Sequence, residues 1–376
     1  MELLSGLVFV LNSWFALPVQ HQQPGVDSVV QLFSNAAAPA RVRIIHSGRL
    51  KTVATSNGVI LRGAAISISK SQIQSGEADY ATDPAHWDKL RLAGLNAVRL
   101  VVFDPWQASH GTPGTFQSYP AANFFKASDT ALVLNKMEAI INIAAQRGMY
   151  VMINYHDTGG FRDPDYSQPV KPDGSFPYLR SFRNIRRFWS VVGHRFGERT
   201  NVIFELTNEP VRWFPEDYHD SELHPLKIIY DDVRRIAPRT HLVLCSFANF
   251  YSFQNATVFD VARRLRRMGV NFSNASIAVH PYNPVPPLSL SSQPLQELGR
   301  EFPVLNTEQN FPQGVVVNSF DPDARGLDGD WLGIQSMERL GIGWFQWNTT
   351  APFEFNQYFL RYIVPDARSK SYYWIK

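Results

Sequence analysis

The chain has 376 residues, 44% of them hydrophobic and 18% charged, enough for a large core in one big domain or two small ones. Its net charge of +3 is spread out; the densest basic run, RNIRRF at 183–188, reads as the polar face of a helix, and nothing else suggests a nucleic-acid partner. A single cysteine, Cys245, excludes an internal disulfide framework and reads as a small core residue, and no stretch could serve as a membrane span.

Residues 1–40 hold an apolar stretch interrupted by Asn12 and Ser13. The first basic residue is Arg41, so a positively charged leader is missing. A degenerate secretion signal and a segment packed on the domain are the two readings, and residues 41–376 are expected to form the main domain. RIIHSGRLKTVATSNGVILRG reads as two short strands around SNG, a hairpin that closes a barrel floor. Short β-rich runs then recur at 59–67, 96–102, 149–156, 201–206, 241–247, 276–282, 303–308 and 341–348. Most are continuously apolar, the pattern of parallel strands buried on both faces.

Helical patterns lie between these runs. PAHWDKLRLAGL has Pro84 in its first turn and a stop near Gly94. DTALVLNKMEAIINIAAQRG takes Asp129 as N-cap and Gly148 as stop. Helices also precede the fourth, fifth and eighth strands. Eight such alternations predict an α/β fold, a (β/α)8 TIM barrel. An open doubly wound sheet would carry a Gly-rich phosphate turn after its first strand, and RGAAIS is not one. The long segments 157–178 and NPVPPLSLSSQP fall where loops would wall a cleft at the C-terminal face of a barrel.

The strand ends carry the chemistry. They are Arg99, His156 with Asp157, Asn208 with Glu209, His280 with Tyr282, Glu308, and Trp344 with Trp347. Any one of these could be a cap or a turn residue. Two glutamates ending opposed strands, the fourth and the seventh, point to function. Asn208 and Glu209 are adjacent, yet both must reach the site, which requires an irregular strand end. Glu205 shares the parity of Glu209 and reads as a buried structural carboxylate.

These runs resemble, in order, the strands of the family 5 glycoside hydrolases, cellulase-like retaining enzymes. IFELTNEP is similar to the family's fourth-strand signature and PVLNTE to its seventh. ILRGAAIS, NAVRLVV, YVMINYH, VHPYNP and GWFQWN resemble the first, second, third, sixth and eighth strands. The resemblance implies Glu209 as general acid/base and Glu308 as nucleophile. It implies substrate-binding or supporting roles for Arg99, His156, Asn208, His280, Tyr282 and Trp347, with Trp344 a wall or core residue. EQNF departs from the aromatic-then-glycine pattern that often follows the nucleophile, so Gln309 alters the neighbouring subsite.

The expected activity is retaining endo-hydrolysis of a β-linked polysaccharide, foremost a β-1,4-glucan, with β-mannan and other β-glycans as alternatives. The expected partner is the poly- or oligosaccharide, with no nucleic acid, no membrane, no cofactor and no metal. The chain is expected to act as a secreted monomer. A metal-dependent hydrolase using His156, Asp157, His280 and Glu308 would want a His-x-His after the first strand and a strand-ending lysine, and the sequence has neither. A catalytically silent binding barrel would have lost a carboxylate, and both are present.

Overall fold

Runs that are apolar on both faces can be buried only if the sheet has helices on one side and closes on the other. The computed structural model describes residues 38–92, 94–103, 122–156, 161–162, 180–210, 220–247, 257–280, 293–310 and 334–347. An antiparallel hairpin comes first, β1 (Arg43–Ser47) and β2 (Leu50–Ala54). There follow β3 (Arg62–Ile68), β4 (Ala97–Phe103) and β5 (Tyr150–His156). A two-residue pair, β6 (Phe161–Arg162) and β7 (Arg180–Ser181), stands apart. The remaining strands are β8 (Val202–Glu205), β9 (His241–Phe247), β10 (Ala275–Val279), β11 (Pro303–Asn310) and β12 (Gly343–Trp347).

Strands β3, β4, β5, β8, β9, β10, β11 and β12 pair in parallel in that order, and β12 pairs back onto β3. That closure makes a barrel and rules out the open sheet. The helices are α1 (Lys70–Ser75), α2 (Pro84–Leu92), α3 (Ala127–Gln146), α4 (Phe182–Phe196), α5 (Asp220–Ile236), α6 (Thr257–Arg267), α7 (Gln293–Glu301) and α8 (Ile334–Leu340). Of these, α1, α6 and α7 have no counterpart in the sequence reading. In α6 the arginines at 263, 264, 266 and 267 mask a weak apolar stripe of Val261, Ala262 and Leu265.

Two apolar shells follow from strand alternation. One faces the helices; there Trp87, Ile140, Phe188, Trp189 and Trp344 pack against outward-facing strand residues. The other fills the barrel, with Ala97, Met152, Ile203, Val243, Leu305 and Phe345 standing over Val53 and Leu61 from the floor. Gly63 is required here, because a Cβ on it would lie 2.2 Å from the Phe345 ring.

The hairpin does close the floor, but its turn differs from the expectation. The chain reverses at Gly48 and Arg49, where Gly48 takes φ +59. The SNG segment makes a second turn, with the Thr55 amide donating to Val59 O and Gly58 at φ +85. It carries the chain from β2 into β3. Lys51 and Thr52 pair with Pro303 and Val304 at the foot of β11. The Thr52 hydroxyl donates to Val304 O and accepts from the Gly343 amide, riveting the β11–β12 seam.

Asp129 is also corrected. Helix α3 starts at Ala127, with Lys126 in the cap position and no side-chain cap. Asp129 sits in the first turn, where its carboxylate accepts from Lys70 Nζ and the Asn123 amide. These partners, and the positive helix end, hold it one turn further in. Residues 1–37, the 157–160 and 163–179 segments and the Cys245 side chain lie outside the described residues.

Two tests follow. Gly63→Ala should overpack the barrel and lower stability by about 1–3 kcal/mol, read as a drop in Tm. The second concerns His241, which is 2% exposed, with Nε2 3.0 Å from Ser276 Oγ. Burial first, then Arg234, push its pKa down to about 3. Above pH 6.5 the ring is neutral in both states. Below it the unfolded chain takes up a proton that the folded chain refuses, so stability falls with pH, by at most about 1.4 kcal/mol per unit. His241→Gln should therefore flatten the dependence of Tm on pH between 6.5 and 4. An unchanged slope would mean that the folded ring accepts the proton.

Candidate active site

Regular strands cannot deliver adjacent residues to one place, and the polar mouth of this barrel is built where strands lose their regularity. Alternate amides of a strand point to the same neighbour. After β8 they do not: the Leu206 amide donates to Val243 O on β9, whereas the Asn208 amide donates to Tyr155 O on β5. The chain has turned over by one position. Trp189 of α4 supports the turn by donating its Nε1–H to Leu206 O. This is the irregular strand end that Asn208 and Glu209 require. Pro210, which has no amide hydrogen to donate, follows at once.

Strand β11 has its own irregularity. Asn306 pairs with Trp344 and Gln309 with Gln346, so three steps on β11 oppose two on β12. The extra residue is a bulge, a device that re-aims side chains. It lies over Thr307 and Glu308, and both side chains turn into the site.

Arg99 organises the mouth. It is fully buried and comes from β4. Its Nε donates to Glu205 Oε2 at 2.6 Å and its Nη2 to Glu205 Oε1 at 3.2 Å. Nη2 also donates to Asn208 Oδ1 at 2.6 Å, and Nη1 donates to Glu308 Oε2. A guanidinium has only donors, so Asn208 must turn its oxygen to Arg99 and its NH2 the other way. Glu205 is thus a buried carboxylate on a structural partner, as its parity suggested.

Glu209 meets a different surrounding. Its Oε1 lies 2.8 Å from His280 Nδ1, and His280 Nε2 lies 3.0 Å from Thr307 Oγ1. Burial pushes His280 down to about 4, with Glu308 opposing and Arg99 assisting. The ring is therefore neutral at neutral pH and bonds as an imidazole. His280 Nδ1 is also 3.9 Å from Glu308 Oε1. One donor atom each from Glu209, His280 and Glu308 lies within 4.8 Å of the other two. Such a set could embrace a small cation, but Arg99 already supplies the positive charge at Glu308.

His156 is buried at the end of β5, its Nδ1 2.9 Å from Asn154 Oδ1. That bond places the proton on Nδ1 and leaves Nε2 as the acceptor nitrogen. Trp344 points outward into the helix-facing core and donates its Nε1–H to Glu338. Tyr282 and the Trp347 side chain lie outside the described residues, as does the Gln309 side chain.

The structure therefore brings together Arg99, Asn208, Glu209, His280 and Glu308, with His156 at the neighbouring strand end. Two supporting residues were missed, Thr307 and Asn154. Asn154 could have been found, since a residue two before His156 shares its face. Thr307 could not, because its role depends on the bulge.

Thermobifida fusca endoglucanase E-5 is 25% identical over 224 residues, 58% of this chain and 41% of that protein. Endoglucanase B of Clostridium cellulovorans is 29% identical over 130 residues, 34% of this chain and 24% of that protein. The chain thus spans less than half the length of these relatives. A β-glucanase from Saccharophagus degradans superposes with a TM-score of 0.54 at 13% identity, covering 91% of both chains. The catalytic domain of Thermobifida fusca endoglucanase Cel5A gives 0.52 at 17%, covering 86% of this chain and 87% of that one. At such identities the likeness is one of fold. The cellulase (glycosyl hydrolase family 5) pattern matches residues 57–351, and the chain belongs to that family.

Proposed function

We propose that this chain is a retaining endo-β-glycosidase acting on a β-1,4-linked glucan through a covalent glycosyl-enzyme intermediate. The observation that carries the reading is the approach of Glu209 and Glu308, with carboxyl oxygens within 4.8 Å, both groups buried and differently partnered. Retaining glycosidases hold their two carboxyl groups about 5–5.5 Å apart, whereas inverting ones leave room for a water between them.

Glu308 is the nucleophile. Arg99 beside it donates from Nη1 to its Oε2 and so aims the carboxyl group. One carboxylate oxygen bonds to the anomeric carbon as the bond from that carbon to the leaving oxygen breaks. Glu209 delivers its proton to that oxygen. In the second step Glu209, now a carboxylate, takes a proton from water. The water oxygen bonds to the anomeric carbon and Glu308 departs. His280 attends both states of Glu209. As a neutral ring it accepts from the acid on Nδ1, or donates from Nδ1 to the carboxylate while Thr307 donates to Nε2. The Asn208 NH2, aimed by Arg99, bonds the sugar hydroxyl next to the anomeric carbon, a contact that tightens in the transition state. His156 binds a further hydroxyl. For Tyr282 and Trp347 the family resemblance implies a bond to Glu308 and stacking under a sugar ring.

The relatives named above as endoglucanases support a glucan, and both structural neighbours have been solved with cellotetraose. β-Mannan is the second choice within the same mechanism. A polymeric substrate also favours work outside the cell.

The test is reducing-sugar release from carboxymethylcellulose, barley β-glucan, galactomannan, xyloglucan and laminarin, with and without EDTA. Activity on a β-1,4-glucan is expected, indifferent to EDTA. The first product should be the β-anomer by NMR. Glu209→Gln should lose roughly 10²–10⁴ in kcat/KM on polymer. It should lose much less in glycosylation by an aryl glycoside whose leaving group needs no proton. Glu308→Gln should be silent on both. An α-anomer as first product, or an active Glu308→Gln, would sink the mechanism.

A further inference from the structure

His280 joins Glu209 to Thr307, a residue with no direct part in the two steps above. Its Nδ1 lies 2.8 Å from Glu209 Oε1 and its Nε2 3.0 Å from Thr307 Oγ1. The ring is wholly buried just past the end of β10, and burial keeps it neutral at neutral pH. A neutral imidazole carries one N–H and one bare acceptor nitrogen.

Two arrangements of that hydrogen fit the distances, and they are not equal partners for an acid. With the hydrogen on Nε2, the ring donates to Thr307, and Glu209 must supply the hydrogen in the contact at Nδ1. The acid's proton then sits on Oε1, engaged with the ring and not with a leaving oxygen. Once that proton has gone, a bare Nδ1 would face a carboxylate oxygen with no hydrogen between them. The ring hydrogen would have to change nitrogens in each half of the cycle. With the hydrogen on Nδ1, the ring donates to Glu209 Oε1 in both states of the acid. The catalytic proton then belongs to Oε2, and nothing in the ring has to move.

This second arrangement asks for a donor at Nε2, and a threonine hydroxyl can be one. Thr307 is well placed for it. It precedes Glu308 directly, so on a regular strand the two side chains would face opposite ways. The bulge in β11 turns both into the site. Thr307 is fully buried, and its branched Cβ restricts χ1, which holds Oγ1 at the ring.

We propose that Thr307 is a positioning residue for the acid/base: its hydroxyl donates to His280 Nε2, keeps the ring hydrogen on Nδ1 throughout the cycle, and so reserves Glu209 Oε2 for the catalytic proton. The inference rests on the two-carboxylate mechanism proposed above. A merely structural Thr307 would fill space beside Glu308 and do nothing to the ring.

The first test is the ¹⁵N spectrum of the histidine rings, with His280 assigned through its bonds to the backbone. Nitrogen shifts separate a ring nitrogen that carries hydrogen from a bare one. The hydrogen should lie on Nδ1 in the free enzyme at neutral pH. It should lie there still after a 2-fluoro glycoside has halted the enzyme as its glycosyl ester. A hydrogen on Nε2 in either state would overturn the proposal.

The second test is kinetic. Thr307→Val keeps nearly the shape of the side chain and removes the hydroxyl. On polymer, where the leaving oxygen must be protonated, kcat/KM should fall about tenfold, whereas glycosylation by an aryl glycoside with an activated leaving group should change by less than about twofold. Thr307→Ser restores the hydroxyl and should recover most of the loss. Equal losses on both substrates, or a loss that serine does not relieve, would mean that Thr307 only packs. If Thr307→Val fails to fold by circular dichroism, the ring spectrum of the wild type decides. Failure of the underlying mechanism looks different: Glu308→Gln would remain active, while the ring nitrogens of the free enzyme would still report which one holds the hydrogen.

Discussion

The structure depends on a cation held where water cannot reach it. Arg99 is fully buried, and an isolated guanidinium could not be stable there. Its position is bearable because Glu205, Glu308 and Asn208 accept from it. Those partners come from β8, the turned chain after it and β11, so satisfying one charge ties β4 to the ends of two other strands. Removing one partner of such a group typically costs about 3–5 kcal/mol, which makes the arrangement close to all-or-none. The rigidity of the barrel mouth thus comes from the cost of leaving Arg99 unpaired.

The second constraint is backbone parity. A barrel of perfect strands would point every second residue at the helices, and adjacent site residues would be lost. The parity change between Leu206 and Asn208 and the bulge over Thr307 and Glu308 break the rule at two strands, both at the mouth. Lower down the alternation is kept. Met152, Ile203, Val243 and Leu305 all face inward and pack. Order at the floor and irregularity at the mouth are complementary, because the packed layer fixes the strands whose ends deviate.

Much of this could be read from residue order, and the reasons for the misses are physical. Continuous apolar runs marked β5 and β10, whose residues are buried throughout. Arg99, Glu209 and Glu308 stood out because polar groups at the ends of such runs have few cheap explanations. Helices α6 and α7 were missed because arginines and polar residues outnumber their apolar contacts. The hairpin turn was misplaced because SNG is a stronger local turn signal than SGRL. Pairing of β2 with β11, over two hundred residues away, decided the matter. Thr307 was invisible because a bulge leaves no mark on side-chain periodicity.

The floor bears on the chemistry through the dielectric. The Tyr150 hydroxyl, inside the barrel, donates to Ala40 O and accepts from the Ser56 amide, tying the N-terminal segment across the base. Arg41 continues the seal by donating to the carbonyls of Gly197 and Arg199. Water is thereby kept from the underside of the Arg99 cluster. A charge in such a place acts on its neighbours far more strongly than it would in solvent. The hairpin, far from the barrel mouth, therefore takes part in setting the surroundings in which Arg99 meets its acceptors.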